Sequence, residues 1–182
     1  MHFCFSVKKA LQAAAAILRR EETRMMPYMR LLKLLYIADR ESMRDTGRPI
    51  TGDQAIAMTY GPVLQGVYNL IRNTHYESWR WSKFFQTSGY KIKMTKDPGA
   101  GTLSRYELEK LREVVERYAA VDDFDLVEET HGFEEWKANF VKGASQPIPA
   151  EHILKAVGLA GEVEQIAQDE KDRATFDRIL GE

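Results

Sequence analysis

Cysteine is almost absent from this chain. Cys4 stands alone among 182 residues, so no internal disulfide is available and the fold must rest on its hydrophobic core. Long apolar runs are missing as well, none approaching the ~20 residues that span a bilayer. The opening M-H-F-C-F-S-V-K-K places its basic pair behind a short apolar patch, the reverse of a secretory signal. No charge predominates either: 26 basic residues face 27 acidic ones, which argues against phosphate binding as the main activity. The expectation is a soluble, cytoplasmic protein of one domain, with nucleic acid and membrane both disfavoured as partners.

Chemical signatures are equally sparse. His2, His75, His131 and His152 are scattered, without the spacing of a zinc site. The Gly99-Ala100-Gly101-Thr102 loop lacks the lysine of a phosphate cradle, and no G-x-S-x-G occurs. Cys4 has no evident histidine partner to activate it. No catalytic, cofactor-binding or metal-binding residue is assigned.

What the chain does contain is helix. Wound at 100° per residue, Leu31, Leu34, Leu35, Ala38 and Ser42 share one face, and Leu32, Tyr36 and Met43 widen it past half the circumference. Such a broad stripe predicts a central helix, about 27–46, covered from several sides. Pro27 suits its first turn, while Gly47 and Pro49 end it. An alanine-rich helix precedes it at 7–20, and Ser104 with Glu107 writes a capping box at the head of a helix over 104–119. Further helices are expected at 63–72, 123–130, 133–141, 150–157 and 159–180. Residues 50–60 are compatible with a short strand or a short helix. Trp79 and Trp81 alternate with polar neighbours, as do Ile92 and Met94, which predicts one β-hairpin at about 79–95. The fold class is therefore mainly α, a compact multi-helix domain around a buried central helix with one small hairpin. Its parts are a domain over 1–142, a linker at 143–149 (G-A-S-Q-P-I-P), and a helical segment at 150–182 that packs on the domain or on a partner.

The order K-L-L-Y-I-A-D (33–39), G-R-P-I-T-G-D (47–53) and A-x-x-Y-G-P-V (57–63) resembles the Panacea antitoxin domain, also called SocA-like and often described as phage-associated GepA-like protein. The likeness continues through Tyr68, L-S-x-x-E (103–107) and T-H-x-x-x-x-W (130–136). The resemblance implies a largely helical antitoxin of a bacterial or phage toxin–antitoxin pair, acting by direct protein contact. Tyr36, Asp39, Gly61, Pro62, Val63, Tyr68, His131 and Trp136 belong to this signature and are expected to be structural.

Two surfaces are candidates for the toxin. Arg30, Lys33, Arg40 and Arg44 fall in one sector of the central helix around Ile37, a pattern that suits an acidic partner or a plain solvated face. Lys33, being part of the signature, also allows an internal role. Trp79-Arg80-Trp81 supplies the residue types of interface anchors; with Lys83, Lys91 and Lys93 it also suits stacking on single-stranded nucleic acid, or simple packing on the core. Asp39, on the apolar side of the helix, needs a partner if buried. It is expected either to accept N–H groups near Tyr60-Gly61 or to be a surface charge. Three rival functions remain: a DNA-binding regulator using residues 149–163 as a helix-turn-helix, a protease adaptor, and a small hydrolase. Against the first stand Glu162 and Glu164, which oppose a major-groove role. A homo-oligomer remains open.

Overall fold

A computed structural model describes residues 1–180. The elements run α1 (Val7–Leu18), β1 (Met25–Pro27), α2 (Tyr28–Thr46), β2 (Ala55–Met58), β3 (Gly61–Leu64), α3 (Gln65–Ile71), α4 (Ser78–Ser82), β4 (Phe85–Ser88), β5 (Lys91–Met94), α5 (Arg105–Tyr118), α6 (Asp123–His131), α7 (Glu134–Asn139), β6 (Gln146–Ile148), α8 (Ala150–Ala156) and α9 (Val163–Leu180). The fold is mainly helical, as the sequence suggests. Among the described residues it holds nine helices, the eight expected segments and α4 in addition, and two small antiparallel sheets in place of one hairpin.

Helix α2 is the axis. From Leu31 to Met43 every residue except Arg40 is buried. Its apolar stripe is covered by α1 and α5, and its remaining face by β3, α6 and α8. Gly47 ends it in the left-handed conformation (φ 73°), its N–H returning to the Met43 carbonyl at 2.8 Å. Four fully buried alanines, Ala10, Ala13, Ala14 and Ala15, make α1 slim enough for close packing. The capping box of α5 forms as expected: Glu107 donates its N–H to Ser104 Oγ at 3.1 Å, and Ser104 N–H reaches Glu107 Oε2 at 2.7 Å.

One sheet has the order β1-β5-β4 and the other β3-β2-β6. In the first, Lys93 sits opposite Met25 and Gln86, and Lys91 opposite Pro27 and Ser88. In the second, Ala57 pairs with Pro62 on one side and Gln146 on the other.

Two sequence expectations shift here. The hairpin begins at Phe85, because Trp79 and Trp81 lie in the single helical turn α4. Residues two apart on a helix face opposite ways, so Trp79 points to solvent while Trp81 is buried. Segment 143–149 carries β6, so the chain crosses it as the third strand of a sheet. Beyond it, Ile153 and Leu154 of α8 are buried, and α9 touches the body through Ile166 near Gly47 and through Arg48, which pairs with Glu170 at 3.1 Å.

Candidate functional site

Of the signature residues, Lys33, Gly61, Pro62, His131 and Trp136 meet at the β2–β3 turn. Lys33, 1% exposed, lies one helical turn beyond Met29 and donates to the Pro62 carbonyl at 2.9 Å. Among the described residues no carboxylate pairs with its ammonium, and burial pulls it down to about 7. Gly61 (φ 89°) covers it so closely that a Cβ there would stand 2.5 Å from both Lys33 Nζ and Thr130 Oγ1. Only glycine combines that conformation with that clearance. On the other side, Trp136 donates its indole N–H to the Met58 carbonyl at 3.1 Å, stacks on His131 at 4.3 Å and on Phe140 at 4.5 Å. His131 Nδ1 stands 3.5 Å from Glu128, and its Nε2 is buried without a partner among the described residues. Beside the turn, Met29, Met58, Tyr60 and Tyr68 line a cleft of about 240 Å³.

Two carboxylates lock the loop after α2. Asp39 is buried and accepts the N–H groups of Ile50 and Thr51 at 3.1 Å each, together with the Thr51 hydroxyl at 2.5 Å. Burial pushes it up to about 7 against the opposing pull of those bonds. The expected role of accepting backbone N–H groups holds, but the partners correct the expectation. They lie in the G-R-P-I-T-G loop, which doubles back after Gly47, and not near Tyr60-Gly61. Asp53 performs the service at the far end of G-P-V, accepting Gly66 N–H at 2.8 Å and Val67 N–H at 2.9 Å and so capping α3. It too is pushed up by burial, to about 6. Asp53 stood inside the quoted motif; its capping role had no local signal, since the helix it caps begins twelve residues later.

The basic sector of α2 turns out to be largely occupied within the chain. Arg30 donates to the carbonyls of Val121 and Tyr118 and pairs with Asp123 at 2.8 Å. Ile37 is buried. Arg40 donates to Glu135 at 2.6 Å and lies 4.2 Å over the Phe133 ring, while Tyr36 donates to the same carboxylate at 2.8 Å. That carboxylate, sealed behind the ring, raises the already buried Tyr36 hydroxyl further above its ordinary range. Arg44 alone stays open, about half exposed beside Asp45. Glu135, the acceptor that ties this group together, has no distinguishing mark in the sequence.

At the second candidate surface, Trp79 is exposed with Lys83 4.4 Å from its ring centre, and Arg80 pairs with Glu77 at 2.6 Å. Trp81 packs against Phe85 with ring centres 4.4 Å apart. In residues 149–163, α8 is partly buried and the following helix opens beside Glu162 and Glu164. Among the described residues no three His, Cys, Asp or Glu side chains cluster as a metal would need, and no helix is long and apolar enough to cross a membrane.

A mainly helical scaffold in which Lys33, Gly61, Pro62, His131 and Trp136 meet at one β-turn defines the class. The family profile described as "Antitoxin SocA-like, Panacea domain" matches residues 31–137, more than half of the chain, and the protein belongs to that family. Neither the curated proteins nor the solved structures include a match to it.

Proposed function

We propose that this protein is the antitoxin of a bacterial or phage toxin–antitoxin pair, silencing a cognate toxin in the cytoplasm by direct, non-catalytic protein contact. The observation that carries this reading is the family match over residues 31–137. It is supported by how the chain uses its signature side chains. Lys33, Asp39, Asp53 and Trp136 each bond main-chain groups and hold the scaffold in one shape, as a pre-organised binding module requires. The toxin partner is sought in the product of the adjacent gene. Co-expression with that product is expected to restore growth and to yield a complex that co-purifies. A harmless neighbour that does not co-purify overturns the reading.

A further inference from the structure

The sheet β1-β5-β4 leaves β4 at an edge. Met94 donates its N–H to the Arg24 carbonyl at 2.9 Å, so Met94 and Ile92 turn their main chain toward β1. Lys91 and Lys93 therefore bond β4 through Ser88 and Gln86, and Thr87, between those two, directs its N–H and C=O outward. A groove of about 450 Å³ runs along this edge, lined by Ile71, Trp81 and residues 85–87 among others. Trp81 is only 2% exposed, and among the described residues its indole N–H has no hydrogen-bond partner.

The charge around the groove is one-sided. Residues 78–96 contain Arg80, Lys83, Lys91, Lys93 and Lys96 and no acidic residue, in a chain whose net charge is −1. Arg80 is matched by Glu77, whereas among the described residues the four lysines form no ion pair. Lys91 and Lys93 lie on the outer face of the central strand, with Ile92 and Met94 buried beneath. Lysines that merely protect a free edge would sit on the edge strand itself. These do not.

We propose that the free edge of β4 receives an extended acidic segment of the toxin as a fourth strand. Its main chain pairs with Thr87, and its carboxylates face Lys91 and Lys93. This rests on the antitoxin reading and names the surface and partner chemistry for it. A peptide fits better than a nucleic acid, because strand addition uses main-chain donors and acceptors at two-residue spacing. The outer face of the sheet carries Met25, Pro27, Gln86 and Ser88 beside the lysines, with no aromatic platform for bases.

The test uses the full chain and the co-expressed product of the adjacent gene. Thr87→Pro removes an outward N–H without costing a ladder bond to β5, and Lys91→Glu with Lys93→Glu reverses the outer charge. Each is expected to weaken the complex at least about tenfold while the melting temperature holds. In the unmodified protein the Thr87 amide is expected to gain protection from hydrogen exchange on binding, a reading that needs no variant to fold. Capture that survives both variants with Thr87 unprotected overturns this site and leaves the antitoxin reading standing. Failure of the parent chain to capture the neighbour overturns both. If Lys91→Glu with Lys93→Glu abolishes salt-sensitive binding of a single-stranded oligonucleotide but leaves toxin affinity unmoved, the face belongs to nucleic acid and the proposal falls.

Discussion

Lys33 lies directly beneath Gly61, its ammonium held on the Pro62 carbonyl at 2.9 Å and 2.5 Å from where a Cβ on Gly61 would stand. Helix α2 and the β2–β3 turn are thereby fixed to one another. Gly61→Ala is expected to cost about 2–4 kcal/mol, from left-handed strain plus displacement of a buried side chain. Gly99 makes the control: it shares a positive φ of 76° but has open space around it, so Gly99→Ala should cost only about 1–2 kcal/mol. Urea unfolding of the two variants measures the difference. Equal losses would show that Lys33 and Thr130 yield freely.

The same lysine gives the protein a pH signature. Its folded value, about 7, lies below the ordinary 10.5, so the unfolded chain binds more protons between those limits. Stability from this group is therefore lowest below about pH 7 and rises with pH, by up to about 1.4 kcal/mol per unit, toward the ordinary 10.5. Lys33→Met is expected to flatten that limb. Thermal melts of both proteins from about pH 7 to 9.5 decide it, and parallel curves would refute the assignment.

Asp39 works in the opposite sense. Its folded value, about 7, exceeds the ordinary 3.8, so its contribution is greatest at low pH and declines as pH rises through that window. Asp53, pushed up to about 6, adds to the decline. Asp39→Asn mimics the protonated group and should reduce this slope. Asp39→Ala orphans the Ile50 and Thr51 donors and should cost about 2–4 kcal/mol. A melt for Asp39→Ala equal to the parent's would mean the G-R-P-I-T-G loop holds without its acceptor.

Arg40 and Arg44 separate packing from recognition on the basic sector. Glu135 has a fully buried side chain, so Arg40→Ala leaves its carboxylate without a countercharge, held by the Tyr36 hydroxyl, and should cost about 3 kcal/mol. Arg44 is about half exposed, and Arg44→Ala should change stability by less than about 0.5 kcal/mol. Toxin capture by Arg44→Ala is thus the clean probe of this sector. Loss of capture without a shift in melting would place the partner there.

Legibility followed the range of the interactions. The capping box at Ser104 and Glu107 and the stop at Gly47 are written within a few residues, and both were readable. Strands of three or four residues are too short for a two-residue alternation to register, so β1, β2, β3 and β6 escaped or stayed ambiguous. Trp79 and Trp81 misled for the same reason, since alternation and a single helical turn look alike over five residues. Lys33 and Arg40 look solvated on a helical wheel. They are enclosed because α6 and α7 return some ninety residues later to cover them, and nothing local announces that.

The tail offers the sharpest test of how the chain is divided. Composition marks 143–149 as a linker, yet Gln146–Ile148 is hydrogen-bonded to β2, and the Gln54 side chain donates to the Ile148 carbonyl at 2.9 Å. Ile148 and Leu154 are fully buried and Ile153 nearly so. Ending the chain at residue 142 removes these side chains from the core, at roughly 5–8 kcal/mol or on the order of 10–25 °C in melting temperature. Ending it at residue 171 keeps β6, α8, Ile166 and the Arg48–Glu170 pair, and should shift the melt by no more than about 3 °C. Calorimetry of both truncations checks this. If the short form melts like the parent, β6 and α8 are a detachable appendage; if it loses its cooperative transition, antitoxin activity lost with it reports unfolding and not a toxin contact.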